Sequence, residues 1–214
     1  ISDYDIARGR NGLIYLAWIE PTANHGSDVF FWKTGMSAPQ NVSNHTLTAT
    51  GDAAYLHLAL DDHDIPHLLW AEKQPSQVSI YYWAEGVGTS KISPTIPTAI
   101  SFALTRALDL ITHDGVAHAF WYDRDVALGW TIYYWNSDSQ TPINMRAGQP
   151  DLSDPIFYAY AFVNANGVFH AVWYEPHAPQ ASKIVHWDSA TQTLHTLLTA
   201  ITPYVIPPVL DSQG

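Results

Sequence analysis

The chain contains no cysteine. Disulfide staples and thiolate metal sites are therefore excluded, and stability has to come from packing. Charge is scarce: 14% of the 214 residues are Asp, Glu, Lys or Arg, against about a quarter in an ordinary globular protein. Cations are scarcer still, with 9 Lys and Arg facing 20 Asp and Glu for a net charge of −11. That balance argues against nucleic acid, which demands a basic footprint, and against adhesion to anionic lipid. It suits a soluble surface or one that attracts cations. No apolar run approaches the ~18 residues of a membrane span. A Gly-rich phosphate loop and a Gly-x-Ser-x-Gly elbow are both missing, and no cofactor or metal is expected. The chain begins at Ile1 without an initiator Met or signal peptide, so a mature, processed or excised chain is expected. Few lysines, many aromatics and two sequons, Asn41-Val42-Ser43 and Asn44-His45-Thr46, point to a secreted or cell-surface setting.

Aromatic residues supply what is missing elsewhere: nine Trp, twelve Tyr and seven Phe. Their spacing organises the chain. Trp18, Trp70, Trp121 and Trp173 recur at intervals of 52, 51 and 52 residues, and Trp32, Trp83, Trp135 and Trp187 at 51, 52 and 52. Only Trp130 stands off this period. Each period holds four strand-like pieces rich in β-branched and aromatic residues, and no segment sustains a helical period. The first pieces cover residues 4–7, 55–60, 107–111 and 156–163; the second 13–19, 66–71, 116–122 and 168–174. The third cover 29–33, 79–83, 131–135 and 183–187, and the weaker fourth 40–42, 91–93, 142–145 and 194–198. First and second pieces meet at Asn11-Gly12, His63-Asp64, Asp114-Gly115 and Asn166-Gly167. Asn-Gly and Asp-Gly predict type I′ turns, and His63-Asp64 a longer or different turn.

Four antiparallel strands per repeat of about 50 residues is the pattern of a propeller blade. The expectation is an all-β, single-domain β-propeller over residues 1–214, with four-stranded antiparallel blades of about 52 residues near 1–50, 51–101, 102–153 and 154–201. The chain resembles bacterial propellers whose blades read Asp-x-x-Gly-x-x-His-x-x-Trp-x-Asp/Glu followed by Ile-Tyr-Tyr-Trp. Residues 109–123 with 132–135 carry that text best; residues 61–72 with 80–83 and 164–175 with 184–187 are weaker copies. The resemblance covers essentially the whole chain and implies a fold, not an activity. Sialidase-like enzymes share this architecture, but they need an arginine cluster and Asp-box turns. Only Arg8, Arg10, Arg106, Arg124 and Arg146 are present, and no Ser-x-Asp-x-Gly-x-x-Trp turn occurs.

Residues 202–214 read as a first strand without a blade, with Val205, Ile206, Val209 and Leu210 as its apolar positions. Three accounts fit: a piece of a larger propeller, a ring completed by another copy, or a strand donated to a neighbour. A packed tail is the plain alternative. Trp18, Trp70, Trp121 and Trp173 are read as mortar between blades. His67, His118 and His170, with Tyr15 at the equivalent place, are read as buried rings bonding a neighbouring blade's backbone rather than as zinc ligands. Glu20, Glu72, Asp123 and Glu175 each end a second piece and are candidates for an acidic ligand face. Each alternatively caps its own loop through backbone N–H groups, and an unlike pair suits glycoside hydrolysis. Arg124 and Trp130, in a loop without repeat duty, complete the candidate face. Asp61-Asp62-His63-Asp64 lacks calcium-loop spacing and is read as a solvated turn. The functional expectation is a non-catalytic extracellular binding or assembly module. Its partner is another copy, further blades, or a glycan or protein ligand. A glycan-binding lectin and a glycosidase or lyase are the alternatives.

Overall fold

A computed structural model of the chain describes residues 1–22, 26–43, 51–74, 77–94, 109–125, 129–149, 156–176 and 182–200. The expected 202–214 strand, with Val205, Ile206, Val209 and Leu210, lies outside these residues, as do the sequon Asn44-His45-Thr46 and the side chain of Arg124. The described residues contain strands and turns and no helix. They form four antiparallel meanders. The first comprises β1 (Asp3–Arg8), β2 (Ile14–Thr22), β3 (Gly26–Lys33) and β4 (Gln40–Asn41). The second comprises β5 (Asp52–Leu60), β6 (Pro66–Gln74), β7 (Gln77–Ala84) and β8 (Gly88–Lys91). The third holds β9 (Asp109–His113), β10 (Val116–Asp125), β11 (Gly129–Asn136) and β12 (Ile143–Asn144). The fourth holds β13 (Phe157–Val163), β14 (Phe169–Glu175), β15 (Ser182–Asp188) and β16 (Leu194–Ala200). A parallel bridge, Ser27 to Asp52, links the first two meanders into one sheet.

Period-two alternation gives each sheet two faces. In the middle meanders both faces are apolar, so each sheet is sandwiched. One face of the second, carrying Leu56, Leu58, Leu68, Trp70, Tyr81 and Trp83, packs on Tyr15, Ala17, Ile19, Val29 and Phe31 of the first. Its other face packs Leu69, Ala71, Ile80 and Tyr82 on Ala119, Trp121, Tyr133 and Trp135 of the third. The third repeats the step, setting Phe120, Tyr122, Ile132 and Tyr134 on Phe169, Ala171, Trp173 and Trp187 of the fourth. One aromatic pair recurs at each junction: Phe31 with Trp83 (4.9 Å between ring centroids), Tyr82 with Trp135 (4.7 Å) and Tyr134 with Trp187 (5.3 Å). Of the expected mortar, Trp70, Trp121 and Trp173 are buried at these junctions, whereas Trp18 is half-buried and belongs to none of them.

Polar bonds fix the register of the stack. The Asp3 and Asp5 carboxylates of β1 accept the backbone N–H groups of Leu56 (3.0 Å) and Leu58 (2.8 Å) in β5. At the hairpin end, Asp64 accepts from the amides of Arg10 and Asn11, and Asp62 from that of Asp114. The acidic 61–64 segment is thus a connector between hairpins. Thr112 donates to the Leu60 carbonyl at 2.7 Å.

The hairpins correct one expectation. Only Asp114-Gly115 is a two-residue turn with both residues at positive φ (47° and 76°), as type I′ requires. Asn11-Gly12 and Asn166-Gly167 belong to longer connections, closed by Gly9 N–H on the Leu13 carbonyl and Asn164 N–H on the Val168 carbonyl. The His63-Asp64 hairpin closes the same way, from Asp61 to Ile65. The cause is a side chain that captures the turn's amides: Asp61 Oδ1 accepts from His63 and Ile65, and Asn164 Oδ1 from Asn166 and Val168. The final loop residue then takes left-handed geometry at Gly12, Asp64 or Gly167.

Trp32 and Trp83 are equivalent by period, yet Trp83 is 4% exposed and Trp32 only half-buried. Trp83→Ala is expected to cost about 3–5 kcal/mol, the range for emptying an aromatic core site. Trp32→Ala is expected to cost less than half as much in an isolated chain. Urea unfolding of the two variants checks the contrast.

Candidate functional site

The strand-end acids sit where β2, β6, β10 and β14 finish, but they do not form an exposed rim. Glu72 is fully buried. Glu20 accepts the Trp18 indole N–H at 3.2 Å, Glu72 that of Trp70 at 2.9 Å, and Glu175 that of Trp173 at 2.8 Å. The reason is local: residues two apart share a face of a strand, and a buried indole N–H needs an acceptor. The indole bond is a role for these acids that their spacing alone does not reveal. The third repeat departs, because Asp123 is one methylene shorter. The buried Trp121 Nε1 has no hydrogen-bond acceptor among the described residues.

Trp130 is also corrected. It stands inside β11, paired in register with Arg124, and is 8% exposed. Its ring meets Tyr122 edge-on at 6.0 Å, and its carbonyl accepts from Arg146 Nη1 at 2.7 Å. Arg146 is itself buried and pairs through Nε with Glu175 at 3.2 Å. Nothing in the spacing of the sequence singled Arg146 out. Its position two residues after Asn144 in the short β12 is visible only once the meander is folded.

The histidine series is placed at the opposite, hairpin end of the strands. His67 and His118 are buried, as expected, and His170 is half-buried. Their Nδ1 partners lie in their own meander and not in a neighbour's backbone: Tyr82 Oη at 2.6 Å, Tyr134 Oη at 2.9 Å and His186 Nε2 at 2.9 Å. Tyr15 fills the equivalent place with its hydroxyl bonded by Asn11. The Nδ1 atom is taken instead by a polar ring of the third strand that stands diagonally across, two residues from the histidine's register partner: Tyr82 beside Ala84, Tyr134 beside Asn136 and His186 beside Asp188.

What lies beyond each ring differs between repeats, and here the symmetry breaks. The Asp61 carboxylate stands 3.6 Å from His67 Nε2, and Asn164 Nδ2 lies 3.0 Å from His170 Nε2. The third hairpin is one residue shorter, so the place of Asp61 is taken by His113. An acid or amide is replaced by a second imidazole. A pocket of about 360 Å³ opens at this point, between the third and fourth meanders. Its wall includes His113, Asp114, His118, Asn136, Asp138 and Gln192. Asn136 Nδ2 donates to Tyr134 Oη at 3.0 Å, and the same hydroxyl meets His118 Nδ1 at 2.9 Å.

Burial, and then the charge of His113, holds His118 down to about 4, below its ordinary 6.5, against the opposing pull of Asp138. Burial also lowers His67 and His186; Asp61 opposes it at His67, and Asp188 at His186. All three rings are therefore neutral near pH 7.

No protein-family profile matches the chain, and no curated protein matches it in sequence. Solved structures do match in shape. An ulvan lyase of polysaccharide lyase family PL25 superposes with a TM-score of 0.51 at 8% identity, over 93% of this chain and 58% of its own. The same lyase bound to -[GlcA(1-4)Rha3S]- gives 0.50 at 8% identity, over 89% and 56%. The GH93 α-L-arabinofuranosidase of Fusarium graminearum, in complex with arabinobiose, gives 0.50 at 12% identity, over 91% and 66%. The chain thus spans less than two thirds of these proteins. The match is one of fold: this is an all-β chain whose neighbours are β-propellers.

The unfolded His118 ring takes its proton near 6.5 and the folded one near 4, so the unfolded chain binds more protons between those values. Stability is expected to fall as pH drops from 6.5 towards 4, with this group's contribution levelling off below 4. His113→Asp restores the acid seen beside His67 and removes a like charge. It is expected to move the His118 pKa upward, read by NMR titration; an unchanged value would remove His113 as a cause.

Proposed function

We propose that this chain is a non-catalytic, secreted or cell-surface binding module that takes up a saccharide unit in the pocket between the third and fourth meanders. The observation that carries this reading is the local break in repetition. The shortened hairpin brings His113 where an acid stands elsewhere, and a cavity of about 360 Å³ lies against it. That volume is at the lower end of the range for small-molecule sites. Carboxylates, amides, hydroxyls and imidazoles share its wall. Sugar hydroxyls both donate and accept, so a mixed wall of this kind can satisfy them. The solved neighbours named for a polysaccharide lyase and an arabinofuranosidase supply the first ligands to try.

The strand-end acids support binding over hydrolysis. A glycosidase needs two carboxyl groups about 5–9.5 Å apart in unlike environments. Glu20, Glu72 and Glu175 instead each hold the indole N–H of the tryptophan two residues before them, at the opposite end of the strands from the pocket.

Titration calorimetry with mono- and oligosaccharides, arabinobiose among them, tests the proposal. Asp138→Ala is expected to weaken binding at least about tenfold, or about 1.4 kcal/mol. Ser139→Trp, at an exposed position on the pocket wall, is expected to abolish it, and Glu20→Gln to leave it unchanged. Binding that survives both pocket substitutions would refute the site. Release of reducing sugar that disappears in Glu72→Gln would favour the hydrolase reading instead.

A further inference from the structure

Packing runs from each meander to the next: β1, β2 and β3 against β5, β5 and β6 against β9, and β9 against β13. Among the described residues, no strand of the first meander makes a comparable contact with the fourth. Among the described residues, no strand covers one face at each end of the stack. On the first meander it carries Tyr4, Ile6, Ile14, Leu16, Trp18 and Trp32. Tyr4 is 67% and Ile6 58% exposed, whereas Leu56 and Leu58, their equivalents in the second meander, are 5% and 9% exposed. Trp18 and Trp32 are half-buried, while the equivalent tryptophans of the other three meanders are at most 4% exposed. The fourth meander's uncovered face carries Tyr160, Val172, Ile184, His186 and Leu198, with Leu198 51% exposed.

These two faces are the halves of the junction that the chain forms three times within itself. Phe31, Tyr82 and Tyr134 each precede a tryptophan of their own strand and pack a ring against the tryptophan of the next meander. His186 holds that place in the fourth meander, directly before Trp187. Trp32 is the one member of its series with no such ring against it among the described residues.

We infer that the uncovered faces belong to one heterologous interface split between copies: the fourth meander of one copy covers the first meander of a second, with His186 seated against Trp32. The interface is head-to-tail, so each copy offers both halves. The committed occupant is a second copy because its exposed residues stand at the register positions that already fit one another internally.

Sedimentation equilibrium of the 214-residue chain, with Ile6→Asp and Leu198→Asp as single and double variants, tests this. The wild type is expected at an integer multiple of 23.8 kDa. Each variant is expected to associate at least about tenfold more weakly. An equimolar mixture of the two single variants retains one intact interface and is expected to recover a pair. Both sites are exposed, so folding should survive. Because the chain lacks cysteine, Trp32→Cys with His186→Cys gives a second readout through a short bismaleimide. Cross-linked dimers are expected; a link within one chain means that the faces close on each other and overturns the inference. A wild type that stays at 23.8 kDa at about 100 µM, or a mixture that stays monomeric, overturns it as well.

Discussion

Everything in this fold depends on burying a tryptophan-bearing sheet face against the next sheet. A four-stranded meander alone exposes two apolar faces and has no core. Stacking covers them, and bulky aromatic rings are what reach across the gap between sheets. The same constraint accounts for the acids. An indole N–H sealed in a dry junction loses its hydration, and the loss is offset by an acceptor two residues on, where the strand's alternation points to the same face. Trp18 with Glu20, Trp70 with Glu72 and Trp173 with Glu175 are one device written three times. In the second and fourth repeats the acid completes a buried tryptophan, whereas Glu20 holds the half-buried Trp18 of the outer face.

The architecture was legible because its cause is local and periodic. Strand identity follows from β-branched and aromatic runs, and repetition at about 52 residues follows from the two tryptophan series. Errors arose where a side chain's partner lies outside its own strand. His67 and His118 were read correctly as buried, but their tyrosine partners depend on cross-strand register, which spacing alone does not supply. Trp130 was assigned to a loop because it broke the period. The strand starts two residues earlier than the expected 131, at Gly129, and takes in Trp130, which is 8% exposed. The hairpins were misjudged for a chemical reason: Asn-Gly draws attention to the turn's last residues, while Asp61 and Asn164, several residues earlier, decide its length. That signal was in the sequence, since an Asx side chain at the head of a loop competes for its amides.

The candidate site was less legible, because it is defined by departure from the pattern. Four aligned hairpins show one deletion, in the third, and it places His113 where Asp61 stands in the second. A carboxylate beside a buried imidazole stabilises its charged form, and a second imidazole does the reverse. His67 and His118 hold equivalent places with like burial and a phenolic partner, and burial lowers both; Asp61 opposes that lowering at His67, whereas His113 adds to it at His118. Repetition makes the fold cheap to specify, and it also makes any single altered repeat chemically distinct without disturbing the others.

Repetition also separates the two functions argued for this chain. Ligand uptake is placed at an internal junction, where the third and fourth meanders already pack through Tyr134, Phe169 and Trp187. Assembly is placed at the terminal faces, where the same kind of junction is left half-made. The two surfaces do share the fourth meander, but on opposite sides of its sheet: Trp173 and Trp187 face the pocket side, and His186 and Leu198 face away. A stack of similar sheets thus holds a site between two layers while its outermost layers remain free to receive another copy. Covering the outer face of the fourth sheet would stiffen β14 and β15 from behind, and β14 and β15 form the far wall of the junction in which the pocket lies. Under the two proposals, association and binding would meet in one sheet, without any residue belonging to both surfaces.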